Sequence, residues 1–139
     1  GEFDAEDAVA AGLETLRAGR PLIVRAAGEE QADVAQVQQA GRSLGLSGQQ
    51  VGERIGDALG AVASGLVAEG PVGRLVISGG ETAGTVCRAL DVRALEVGLP
   101  IEPGVPYCFP LGRPGLLVVL KSGNFGSKDF YRRVGELSG

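Results

Sequence analysis

The chain has 139 residues, 44% of them hydrophobic and 22% charged, with a formal net charge of −4. That is enough for one domain with one core, and the acidic balance argues against nucleic acid or an anionic membrane as partner, since both select a basic field. With no histidine and only Cys87 and Cys108, zinc sites and histidine-based catalysis are excluded.

The two cysteines read as reduced thiols of a cytoplasmic protein rather than as a bridge. No stretch approaches the ~18 apolar residues of a membrane-spanning helix, and no basic-then-apolar signal segment opens the chain. Glycine is the outlier, at 24 residues against an ordinary share of about 7%.

Gly1-Glu2-Phe3 reads as a cloning remnant, because a helix pattern starts directly after it. Asp4–Ala18 is that helix: Asp4 can cap it, Val9, Leu13 and Leu16 share a face, and Gly19 stops it. Pro21–Ala27 is a short apolar run, as expected of a strand buried on both faces. Gln31–Leu44 follows as a helix with Val34, Val37 and Leu44 on one side. Ser47–Glu69 carries the strongest helical signal, with Ser47 and Gln50 forming a capping box ahead of Val51, Ile55, Leu59, Val62 and Leu66. Gly70-Pro71 ends it.

Arg74–Ser78 is a second strand that runs into the glycine segment Gly79-Gly-Glu-Thr-Ala-Gly84. A helical pattern resumes over Thr82–Leu90, and Arg93–Val97 is a third short strand. Pro100, Pro103, Pro106, Pro110 and Pro114 then predict a long ordered connection with at most an edge strand near Tyr107–Leu111. Gly115–Leu120 is a strong strand, and a second glycine segment, Lys121-Ser-Gly-Asn-Phe-Gly126, follows it. Lys128–Leu137 closes as a helix with Phe130, Val134 and Leu137 inward. Helices alternating with continuous apolar strands define an α/β class, a three-layer α/β/α arrangement with a mainly parallel sheet.

In such a sheet, ligands sit beyond the carboxyl ends of the strands. Both glycine segments fall there, each between a strand and a helix. A helix start supplies unpaired N–H groups and a partial positive charge of about half a unit. Glycine lets backbone approach an anion without a side chain in the way. The pair therefore reads as a phosphate cradle. Gly79 and Gly84 match the outer frame of a P-loop, but Thr85 and Val86 stand where that motif needs Lys and Ser or Thr, and Rossmann spacing is absent. A tight strand-to-helix turn is the plain alternative for each segment.

Single residues carry paired readings. Lys121 neutralises a phosphate or is merely solvated. Thr82 and Ser127 cap their helices or meet phosphate oxygens. Glu81 reaches a magnesium ion through water or simply favours a helix start, and Asp129 has the same two roles open. Phe125, Tyr107 and Phe109 line a base pocket or fill a core.

Arg74–Ala83, Ala94–Gly98, Ile101–Pro106 and Leu120–Gly126 with Asp129-Phe130 together resemble the four-carbon acid sugar kinases. The resemblance spans most of the chain. It implies the C-terminal domain of a two-domain, ATP-dependent kinase acting on threonate, erythronate or a 3-oxo-tetronate. The acid would be held mainly by an N-terminal domain that this chain lacks. Residues 4–139 would be the nucleotide-binding domain, incomplete at its N-terminal end. By this resemblance, Gly80, Glu81, Thr82 and Ala83 match the ATP-contacting loop and Gly123 a second contact. Ala83 stands where many members have serine, and a further contacting serine would precede Asp4.

The candidate nucleotide-binding set is Gly79, Gly80, Glu81, Thr82, Ala83, Gly84, Lys121, Ser122, Gly123 and Asn124, with ATP and Mg2+ as cofactors. No residue is assigned a catalytic role, and a homo-oligomer is compatible with the sequence. A non-catalytic nucleotide- or anion-sensing module stays open as an alternative, as does a purely structural domain.

Overall fold

The structure, a computed structural model, describes residues 3–26, 31–123 and 125–137. Helix α1 (Ala5–Arg17) is capped by Asp4, whose carboxylate accepts the Glu6 N–H at 2.8 Å, and it buries Val9 and Leu13. Gly19, at φ +73, ends it as its sequence position predicts. Helix α2 (Gln31–Ser43) is largely solvent-facing along its described side chains, touching α3 where Gly41 meets Val51.

Helix α3 (Gly48–Glu69) starts in the expected capping box. Gln50 N–H donates to Ser47 Oγ at 3.2 Å, and Ser47 N–H donates to Gln50 Oε1 at 2.8 Å. The helix packs on α1 through Val62 and Leu66. Two glycines let the pair approach closely: a Cβ on Gly65 would lie 2.7 Å from Val9, and one on Gly12 would lie 2.8 Å from Leu66.

Strands β1 (Arg74–Ser78), β2 (Leu95–Glu102), β3 (Val105–Pro110) and β4 (Leu117–Lys121) form one sheet in the order β1-β4-β3-β2. Helix α4 (Gly80–Ala89) follows β1, and α5 (Phe130–Gly135) follows β4. The α/β class and its three layers hold. One sheet face packs on α3 and α4 around Ile77, Val86, Leu90, Leu116 and Val118, and the other packs on α5 around Val105, Leu117, Val119, Phe130 and Val134.

Three expectations are corrected. The sheet is mixed rather than mainly parallel: β1–β4 is parallel, while β4–β3 and β3–β2 are antiparallel. The cause is the proline-rich segment, expected to be a connection with at most an edge strand. It folds instead into a hairpin turned at Pro103-Gly104, with Gly104 at φ +80. Pro100 falls at the register shifts between Val97 and Glu102, Pro103 in the turn, and Pro110 at the end of β3.

Among the described residues, no strand forms between 21 and 26 either. Leu22 turns onto Gly12 and the α1–α3 core, which leaves Ile23 and Val24 exposed. An apolar run makes a strand only where a ladder partner receives its backbone, and here the run is spent covering helices. Ala27, the end of the expected strand, lies outside the described residues.

Candidate nucleotide site at the carboxyl end of the sheet

The parallel register pairs Arg74 with Leu117 and runs in step to Ser78 with Lys121. Both glycine segments therefore leave the sheet side by side. A bond from Gly79 N–H to the Lys121 carbonyl, 2.9 Å, ties the two departures together. The β2–β3 turn reaches the same sheet end, because β3 runs antiparallel to β4.

The first segment is mostly helix. Gly79, at φ +104 and ψ 132, is the N-cap, and α4 begins at Gly80, two residues before the sequence pattern predicts. That φ is open to glycine at little steric cost, and it redirects the chain from strand to helix within one residue. The helical ladder opens with the bond from Ala83 N–H to the Gly79 carbonyl, 2.9 Å, and no side chain caps the N-terminus. The N–H groups of Gly80, Glu81 and Thr82 thus precede the ladder and face outward at the positive end of the helix. Thr82 is not the cap; its side chain lies beside Gly79. Ala83 is half-buried and packs its methyl against the core, with its N–H already bonded. Gly84 lies a turn along, next to Arg88, and Glu81 is exposed.

The second segment is organised by its own lysine. Lys121 is half-buried and donates through Nζ to the carbonyls of Ser122 and Gly123, each at 3.4 Å, with the Phe130 ring 5.9 Å away. Phe125 N–H donates to the Ser122 carbonyl at 3.0 Å, closing a turn across Gly123. Gly126, at φ +101, lets Lys121 pass: a Cβ there would stand 2.8 Å from Lys121 Cε. Asn124 lies outside the described residues.

Ser127 does not cap α5. The N-cap is Asp129, which makes no capping bond and lies 3.8 Å from Arg132. Ser127 instead gives both its N–H and its hydroxyl to Glu102. Ser78 Oγ and Tyr131 Oη are 3.0 Å apart, linking the end of β1 to α5. Neither Glu102 nor Tyr131 has a role in the sequence reading. The signal that could have found Glu102 is the Pro-Gly pair after it, a turn mark between two apolar runs.

Gly80 and Gly123 differ from the other glycines at the site. Neither has a positive φ, and a Cβ at either would meet no atom within 4 Å. The fold requires glycine at neither position, so the bare backbone there suits close approach by a ligand. Tyr107 and Phe109, the candidate base pocket, sit in β3 edge-to-face at 5.5 Å, with Tyr107 packed over Gly98. Phe125, the other aromatic weighed for the base, lies against Gly104 and is 48% exposed, so it belongs to the rim of the second segment.

Among the described residues, no group of three or more Asp, Glu, Cys or His is placed to hold a metal ion. Cys87 and Cys108 are free thiols, both pushed above the ordinary thiol range chiefly by burial.

Residues 2–131 match the family described as "Nucleotide-binding C-terminal domain", and the chain belongs to it. The sequence is 46% identical over 95 residues to a 3-oxo-tetronate kinase of Pseudomonas fluorescens, covering 68% of this chain and 22% of that protein. It is 40% identical over 135 residues to a 3-oxo-tetronate kinase of Methylobacterium radiotolerans, covering 96% of this chain and 30% of that protein. The chain therefore spans less than a third of the length of these relatives, and the resemblance to a four-carbon acid sugar kinase C-terminal domain is borne out. The fold matches a solved Haemophilus influenzae protein of a family of unknown function. The TM-score is 0.72 at 23% identity, over 97% of this chain and 33% of that one.

Proposed function

We propose that this domain binds ATP across its two glycine segments and serves a kinase that phosphorylates a four-carbon sugar acid. The observation that carries the reading is the bond from Gly79 N–H to the Lys121 carbonyl. It ties the start of α4, which no side chain caps, to the strand end from which the Gly123 segment departs, within a nucleotide-binding family.

The N–H groups of Gly80, Glu81 and Thr82 hold the phosphate chain, with Gly123 closing from the side. Lys121 organises the second segment and adds positive charge beneath it. A magnesium ion, when bound with the nucleotide, would supply charge neutralisation for the transfer. Glu81, exposed in the first turn of α4, is the carboxylate that would meet such an ion or its waters. Phosphoryl transfer depends mainly on positioning and charge stabilisation, and this domain supplies the donor half. The acceptor acid and any base that takes its hydroxyl proton belong to the remaining part of a longer protein. The curated relatives are named for 3-oxo-tetronate, which makes that acid the first acceptor to test.

Titration with ATP and magnesium, followed through backbone amide resonances, tests the binding. Gly80, Glu81, Thr82 and Gly123 are expected to shift together while core amides such as Val119 stay in place. Amides that do not move at millimolar nucleotide overturn the reading. Mixed with ATP and a panel of four-carbon acids, the chain alone is expected to release no phosphorylated product.

A further inference from the structure

Glu102 is the last residue of β2, at the same sheet end as both glycine segments. Its side chain is 10% exposed, and each carboxylate oxygen is engaged. Oε2 accepts the Ser127 N–H at 2.8 Å, and Oε1 accepts the Ser127 hydroxyl at 2.5 Å and Arg133 Nη1 at 3.3 Å. Two residues on, in the same turn, Gly104 leaves room for Phe125: a Cβ there would lie 2.9 Å from the ring. The hairpin turn thus grips the second segment at Ser127 and Phe125, while Lys121 organises it from inside through the Ser122 and Gly123 carbonyls. Charge-assisted bonds of this kind are stronger than neutral ones, and two from one serine fix its backbone as well as its side chain.

We infer that Glu102 is the positioning residue of the nucleotide site, holding Ser127 and with it the segment that carries Gly123 and leaves the sheet beside Gly79. The inference rests on the proposed nucleotide reading, but its first consequence is visible without any ligand.

In the nucleotide-free protein, Glu102→Ala is expected to speed amide exchange at Ser127 and Phe125 by about tenfold or more while leaving Val119 unchanged. ATP affinity is expected to fall about tenfold, with the Gly123 shift lost and the Gly80 shift retained. Glu102→Gln, which keeps one acceptor oxygen, recovers part of the affinity; a merely space-filling role would let it recover all. Ser127→Ala removes the hydroxyl donor from the other side and guards against a Glu102 variant that fails to fold. Combined with Glu102→Ala it is expected to add little, because both act through one contact. Unchanged exchange at Ser127 in Glu102→Ala, or full additivity of the two substitutions, overturns the positioning role. A wild-type protein that binds no ATP overturns the nucleotide reading instead, and the exchange experiment still decides whether Glu102 orders the segment.

Discussion

Gly79 and Gly80 are neighbours on which the fold makes opposite demands. Gly79 sits at φ +104, where a side chain is strained, so Gly79→Ala is expected to cost about 1–3 kcal/mol in chemical denaturation. Gly80 has an ordinary φ and open space around it. Gly80→Ala is therefore expected to leave stability within about 0.5 kcal/mol while weakening ATP about tenfold, near 1.4 kcal/mol, because the new methyl stands where the phosphates approach. Isothermal titration beside denaturation separates the two effects.

Glu102 adds a dependence on acid. Bonds from Ser127 are the main cause that lowers its pKa below the ordinary 4.5, with Arg133 and Lys121 nearby and burial opposing. A carboxyl lowered on folding contributes stability that is fully present above its unfolded pKa and lost as pH falls through the folded one. Protection of the Ser127 amide, taken relative to its intrinsic exchange rate, is thus expected to fall as pH drops below 4.5 in the wild type and to stay level in Glu102→Gln. The family resemblance singles out Gly80 and Gly123, but the local glycine pattern does not distinguish them from Gly79 and Gly126; backbone angles and neighbours do so. The Pro-Gly pair after Glu102 marks a turn, but its role stays hidden because its partner Ser127 is remote in sequence.

Helix α4 carries half of the site, and its seat on α3 is made of small residues. A Cβ on Gly60 would stand 3.0 Å from the Ala89 Cβ, and one on Gly56 would stand 3.3 Å from Thr85. Read along the chain, these glycines only weaken helical preference; across the interface they set how close the two axes come. Gly60→Val overpacks the seat and is expected to cost about 1–3 kcal/mol. It should also move the Gly80–Thr82 amides, a remote effect that an amide spectrum detects directly. Ser47→Ala tests the other end of the interface, with about 1 kcal/mol expected from the lost cap.

The start of α3 was legible because a capping box is a local pattern. That of α4 was less so: its cap is a glycine with no side chain to advertise it. The hairpin was obscured in a third way, since five prolines outweighed the alternation of β2 and β3.

Over the whole molecule, the strands with the strongest apolar runs, β1 and β4, were placed correctly and became the parallel pair that carries the site. The apolar run Pro21–Ala27 also reads as a buried strand, yet the α1–α3 layer claims its Leu22. Nothing in a short apolar run says whether a sheet or a helix pair will cover it. The cysteines test the packing as a unit. Both thiols are raised by burial, so alkylation at neutral pH is expected to be slow in the folded chain and to reach two thiols per chain once it is denatured without reductant.

The bond between Gly79 and Lys121 has a thermodynamic side as well. It joins points far apart in sequence through the sheet itself, so the cradle exists only while the tertiary structure does. Nucleotide then has no competing affinity for the unfolded ensemble, and its binding energy is conferred in full on the native state. At a hundred times its dissociation constant, ATP should raise the unfolding free energy by about 2.7 kcal/mol. A simple melting curve with and without nucleotide thus becomes an affinity measurement. Its shift should vanish in any variant that lets β1 and β4 part.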